Sequence, residues 1–251
     1  MSEPSSFADH FSGHADQYAA ARPTYPEELF KFLAKISPRH DLAWDCATGS
    51  GQAAQGLASY FDKVIATDAS EEQIRNAASK ADNVHYRTAA AEQSGIEENS
   101  INLVTVAQAL HWFDFDGFYR EVRRVAAPSG VLAVWCYGLT TVSAQVDAIV
   151  HDFYRGAIHE FWPPEREHVE SKYESIPFPF DECDTPRFSM KQRWTVKALT
   201  DYLRTWSAVK RYQAQTGIDP VSAIEAPLRD AWGGAALEVG WPLTLKVGRI
   251  Q

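Results

Sequence analysis

Leu42-Ala43-Trp44-Asp45-Cys46-Ala47-Thr48-Gly49-Ser50-Gly51-Gln52 is the stretch that decides the fold. A short apolar run meets a carboxylate, then a glycine-rich turn, and small residues follow to open a helix. The next apolar run, Val64-Ile65-Ala66-Thr67, ends on a second acid, Asp68. That layout describes the first βαβ unit of an open parallel sheet, in which the turn after strand one receives a nucleotide-like ligand. Glycines let backbone come close to the ligand, and the unpaired N–H groups at the helix start face it. An acid at the tip of the second strand suits a pair of ribose hydroxyls. The implied ligand is an adenosine-containing cofactor.

Outward from this unit, strand and helix alternate. Pro26 to Ile36 reads as an amphipathic helix, opened by proline and two glutamates and closed near Ser37-Pro38. Strand one is Leu42–Asp45, followed by a helix from Gln52 to Tyr60. Strand two is Lys63–Thr67, and Ser70 is a suitable N-cap for the helix beginning Glu71-Glu72. Val84–Arg87 is a short third strand. Ile101–Ala107, continuous and β-branched, reads as a central strand buried on both faces. A helix over Phe115–Ala126 ends at Pro128-Ser129-Gly130, and Val131–Tyr137 is another buried strand. This is the pattern of a doubly wound α/β sheet. From Gly138 to about Arg187 the chain turns aromatic and proline-rich, with Phe161-Trp162-Pro163-Pro164 and Ile176-Pro177-Phe178-Pro179-Phe180. Leu243–Ile250 alternates like a closing antiparallel strand, with Phe188–Val196 as a partner.

The 251 residues are 45% hydrophobic, enough for one good α/β core. A net charge of −9 disfavours nucleic acid as a partner. No apolar run is long enough to span a bilayer, and the first residues, Met1 to Ser6, carry no basic or apolar leader pattern. Cys46, Cys136 and Cys183 form neither a metal-spacing pair nor a disulfide framework, so no metal and a cytoplasmic setting are expected.

Two cofactors compete for the glycine turn. Gly49-x-Gly51-x-x-Ala54 satisfies the dinucleotide fingerprint, with Asp68 near the expected distance. Asp45 favours the other reading, because a carboxylate before the glycines would repel a pyrophosphate. It suits a ligand with a cationic amino-acid end, such as S-adenosylmethionine. Asp45-x-Ala47-x-Gly49-x-Gly51 resembles the first motif of the class I S-adenosylmethionine-dependent methyltransferases, acid-x-Gly-x-Gly-x-Gly, with Ala47 departing from it. Tyr18-x-x-x-Arg22-Pro23-x-Tyr25-Pro26 resembles a segment of the small-molecule group related to trans-aconitate methyltransferases.

The resemblance covers most of residues 7–137 and the last strand. It implies a Rossmann-like, doubly wound, seven-stranded mixed sheet with a C-terminal antiparallel strand and a cap inserted after the fifth strand. As a single domain over 1–251, it would comprise an N-terminal lid and helix (1–36), a cofactor-binding core (37–138), a substrate cap (139–187), and closing strands and helices (188–251). It also implies that Tyr18 and Arg22 fold over the methionine end of the cofactor, though a surface salt bridge is the alternative for Arg22. Asp45, Ala47, Thr48, Gly49, Ser50 and Gly51 would form the cofactor turn, with Asp68 and Ala69 at the ribose. Gln73, Ala91 and Glu92 are candidates for the adenine, the family's usual acid being replaced by Ala90. Gln73 and Glu92 read equally well as solvated polar residues. Gln108, Ala109 and Trp112, just past the fourth strand, would border the site of transfer.

His111 is the candidate for catalysis, either removing a proton from the acceptor or orienting the loop. The sulfonium of S-adenosylmethionine is already a good electrophile, so in-line placement and exclusion of water supply much of the acceleration. A carboxylate or other low-pKa oxygen acceptor needs no base, whereas an alcohol or amine would profit from one. A small-molecule acceptor is expected, with Trp162, Arg166, Lys172, Tyr173, Phe178 and Arg187 of the cap as possible contacts. The alternatives are a nicotinamide oxidoreductase, for which the Tyr-x-x-x-Lys pair of short-chain dehydrogenases is missing, and a cofactor-binding protein without turnover.

Overall fold

In the computed structural model, which describes residues 23–77 and 81–251, β1 (Leu42–Cys46) lies between β2 (Lys63–Asp68) and β4 (Ile101–Ala107), parallel to both. β3 (Val84–Thr88) flanks β2, and β5 (Ala126–Tyr137) flanks β4, again in parallel. β8 (Leu237–Arg249) returns antiparallel against β5. Its far edge is shared by β6 (Asp181–Glu182) and β7 (Phe188–Trp194). The order is therefore β3-β2-β1-β4-β5-β8, then β6 and β7 together in the seventh place. This is the mixed sheet that the motifs imply, with an antiparallel C-terminal strand.

Helices cover the sheet because their apolar residues recur at helical spacing. α1 (Glu27–Ile36) carries Glu27 and Glu28 in its first turn and Lys35 in its last, matching the helix dipole, and buries Leu29, Phe30, Leu33 and Ala34. It packs with α2 (Gln52–Leu57) over Ala43, Val64, Leu103, Ala133 and Trp135. α3 (Glu71–Asn76) follows β2. On the opposite face, α4 (Phe115–Val125) buries Phe118, Tyr119, Val122 and Val125 against Trp44, Val104, Val106 and Val134. Alternate residues of each central strand thus feed two different cores.

A third apolar cluster lies beyond the end of β5. It joins α5 (Ala144–Arg155) to α7 (Val196–Arg204), α8 (Ser207–Thr216) and α9 (Glu225–Trp232), with Tyr137, Val239 and Trp241 beneath them. The short α6 (Arg166–Glu170) and Tyr173 belong instead to the α4 core.

The helix expected over Gln52 to Tyr60 ends at Leu57 and the strand expected to Val196 ends at Trp194, and two boundaries differ more. The fifth strand starts at Ala126, which pairs with Ile101 directly after α4; the register then shifts around Pro128-Ser129-Gly130 and resumes at Val131. The last strand begins at Leu237, six residues before Leu243. Pro242 interrupts the apolar alternation there, yet it is tolerated opposite Ser189, where β8 leaves β7 for β5.

Candidate active site

The turn after β1 is pinned by the first acid. Asp45 is fully buried; its Oδ2 accepts from Thr48 Oγ1 at 2.5 Å and from Ala54 N at 3.0 Å. Its Oδ1 accepts from Thr105 Oγ1 at 2.8 Å, the residue beside it in the β1–β4 register. Burial raises the Asp45 pKa to about 6, against the pull of those hydrogen bonds. Asp45 therefore acts on any ligand through the turn that it holds.

Ala47 takes φ +54°, the left-handed region, where a methyl group costs about 1 kcal/mol relative to glycine. The two glycines next to it do different things. Gly49, at φ +54°, donates its N–H to Asp68 Oδ2 at 2.9 Å, and a Cβ there would meet nothing within 4 Å, so the turn presents open space. Gly51, at φ +82°, leaves room for the Tyr86 hydroxyl, which would lie 2.4 Å from an added Cβ. Its requirement is internal packing rather than approach to a ligand.

Asp68 ends β2 beside the turn and also accepts from Ser70 N at 2.9 Å. Ser70 caps α3 by accepting from Gln73 N. Ala69 is exposed at this corner, whereas Gln73 and Ala91 are buried. Glu92 accepts from Asp114 N at 3.2 Å, at the start of α4. The turn, Asp68 and the residues after β4 thus meet at the carboxyl end of the sheet. Tyr18 and Arg22 lie outside the described residues, and Ser50 is half-buried in the turn.

After β4 the chain bends sharply. Gln108 sits at φ +58°, and its side-chain amide pairs with the Tyr137 backbone, Nε2 to O at 3.0 Å and N to Oε1 at 3.2 Å. This extends the β4–β5 ladder by one side chain. A short 3-10 turn over Leu110–Trp112 then presents His111. Its ring is buried, lies 4.8 Å from Trp112, and places Nδ1 3.1 Å from the Tyr173 hydroxyl. Burial first, then the positive charges of Arg166 and His168, depress the His111 pKa to about 3. The ring is neutral throughout the physiological range.

Burial holds the Tyr173 phenol well above its ordinary pKa. The Tyr173 hydroxyl and His111 Nδ1 share one hydrogen bond, which either group can donate according to the tautomer of the ring.

Gln108, His111 and Trp112 line a cleft that is partly open to solvent, with Tyr137 and Gly138 from the end of β5. Trp162, Pro163 and Arg166 make the facing wall, and Tyr202, Trp206 and Ser207 complete it. Of the cap residues singled out in the sequence, Trp162 and Arg166 line this cleft and Tyr173 lies beneath His111. Lys172 and Arg187 are exposed outside it, while Phe178 packs on Phe180 and beneath Lys246. Tyr202 and Trp206 carry no sequence signal, because the packing of α7 and α8 on α5 is what brings them here.

A family model described as a methyltransferase domain matches residues 44–134. A candidate methyltransferase of Dictyostelium discoideum is 35% identical over 233 residues, covering 91% of this chain and 88% of that protein. The chain belongs to the class I S-adenosylmethionine-dependent methyltransferases. A solved structure of a candidate type II methyltransferase from Anaeromyxobacter dehalogenans is 46% identical, with a TM-score of 0.85 over 91% of this chain and 98% of that one. The YcgJ protein of Bacillus subtilis shares the fold at 16% identity, with a TM-score of 0.52.

Membership decides between the two cofactors that the glycine turn alone left open: the methyltransferase uses S-adenosylmethionine. The donor set fits that group, since open space at Gly49 stands directly beside the Asp68 carboxylate. Among the described residues, no helix is long and apolar enough to cross a membrane.

Proposed function

We propose that the methyltransferase acts on a small molecule through an oxygen nucleophile, a carboxylate or another low-pKa oxygen, without a protein base. The observation that carries this reading is the state of His111: buried, bonded to Tyr173, and depressed to a pKa of about 3. A base that weak is poorly matched to removing a proton from an alcohol or ammonium group near neutral pH. His111 is instead a neutral ring, held on Tyr173, that orients the cleft.

In this proposal Asp68 accepts from the ribose hydroxyls, with Ala69 and Gln73 beside it. Asp45, Ala47, Thr48, Gly49, Ser50 and Gly51 shape the turn, and Ala91 and Glu92 border the adenine. Gln108, Ala109 and Trp112 border the reacting end, and Tyr18 and Arg22 close over the methionine carboxylate. When bound, the cofactor supplies a methyl group already activated for in-line displacement. The chain positions the acceptor, and the aromatic wall of Trp162 and Trp206 keeps water away from it. Residues 37–138 serve as the cofactor core and 139–187 as the substrate cap, with the α7–α8 junction adding Tyr202 and Trp206 to the wall.

The test is methyl transfer from labelled cofactor to a panel of small carboxylic acids, phenols and amines, with products identified by mass. O-methyl products are expected. Exclusive N-methylation would overturn the oxygen-acceptor reading.

A further inference from the structure

The cap wall of the cleft carries a positive charge that has no carboxylate partner within 4.0 Å among the described residues: Arg166 appears in none of their ion pairs. Its Nε donates to Tyr154 Oη at 2.9 Å, and Tyr154 in turn donates to Glu170, so the nearest acid in this chain of bonds is one hydroxyl away. The guanidinium lies over Trp162, 4.8 Å from the ring centre, and over Tyr154 at 5.6 Å. These contacts hold the planar group in place at the cleft.

A second observation at the same wall is independent of that charge. The Trp162 indole Nε1 is buried and has no hydrogen-bond partner among the described residues. A buried donor left unpaired costs about 1–3 kcal/mol, so an acceptor supplied from outside the chain would relieve it. Ser207, the first residue of α8, also lines the cleft, which brings the positive end of that helix to the same space. His111 lines the same cleft and carries no opposing negative charge. The cleft therefore gathers donors and positive potential. Apolar rings make up much of the rest of the lining, with Trp162 and Trp206 centred 5.7 Å apart at 52° and Tyr202 and Trp206 5.9 Å apart at 83°.

We infer that the acceptor is a largely apolar molecule bearing an anionic oxygen group, and that Arg166 is the residue that selects it by holding that anion. The inference rests on the proposed function for placing the acceptor in this cleft. It goes further in naming the charge and apolar character that are recognised, whichever oxygen receives the methyl group.

The probes are 2-naphthoate and 2-naphthamide, matched in shape and differing in charge, titrated into the complex with S-adenosylhomocysteine and followed by tryptophan fluorescence. Wild type is expected to bind the carboxylate roughly 10- to 100-fold more tightly than the amide, the range of a charged hydrogen-bonded contact. Arg166→Gln should bring the ratio close to one with S-adenosylhomocysteine affinity unchanged, and Arg166→Lys should retain part of the preference. Equal binding of both probes by wild type, binding of neither, or a preference that survives in Arg166→Gln would each overturn the inference. Failure of the oxygen-acceptor reading is seen separately, as exclusive N-methyl products in the panel of acids, phenols and amines.

Discussion

Replacing His111 by Gln removes a ring that the fold keeps neutral, and the consequence is a pH-dependent change in stability. The ordinary histidine pKa of 6.5 falls to about 3 in the folded protein. The unfolded chain therefore takes up a proton as pH drops below 6.5 while the folded protein does not, and stability is lost through that window. Between about pH 7 and about pH 4.5, linkage puts this loss at about 2–3 kcal/mol. Asp45 works in the opposite sense: its folded pKa of about 6 lies above the ordinary 3.8. Over the same interval it returns about 2 kcal/mol, so the wild-type profile alone would hide both effects.

Comparing wild type with His111→Gln cancels Asp45. The variant should be destabilised at pH 7, where the Tyr173 bond and ring packing are lost, and that penalty should shrink by about 2–3 kcal/mol at about pH 4.5. Urea titration followed by tryptophan fluorescence at both pH values measures it. A penalty that does not change with pH would refute the neutral, buried imidazole. With a carboxylate acceptor, the same substitution should lower turnover, leave S-adenosylhomocysteine affinity intact, and remove no inflection near neutrality.

Asp68→Ala should raise the dissociation constant of S-adenosylhomocysteine roughly 10- to 100-fold, since it removes the proposed ribose contact together with the bonds from Gly49 N and Ser70 N. Calorimetry on the folded variant checks this, and unchanged affinity would take Asp68 out of the cofactor site. Gly56→Ala should destabilise, although helix propensity alone favours alanine by about 1 kcal/mol. The added Cβ would lie 2.2 Å from the Phe30 ring, and overpacking of this kind costs about 1–3 kcal/mol. A raised melting temperature would contradict the close approach of α1 to α2.

Local signals were enough for the framework. Apolar runs of strand length, the glycine turn after Asp45 and the acid at Asp68 lie within one βαβ unit, so hydrophobic period and turn chemistry report them without knowledge of distant residues. The capping role of Ser70 and the buried stripe of α1 were legible for the same reason. The start of β8 was less so, because Leu237–Trp241 becomes strand only by pairing with β7.

The sequence by itself determined the α/β class, the family and the end of the sheet at which the chemistry sits, because those depend on neighbours along the chain. Only the tertiary structure decided what the polar groups at that end can do. Asp45 is clamped by Thr105, 60 residues away, and His111 is bonded to Tyr173, 62 residues away. Burial and the nearby Arg166 and His168 then set the His111 charge, and helix packing brought Trp206 and Tyr202 opposite it. Charge state and cleft shape follow from what surrounds a side chain in space, and sequence spacing does not encode those surroundings.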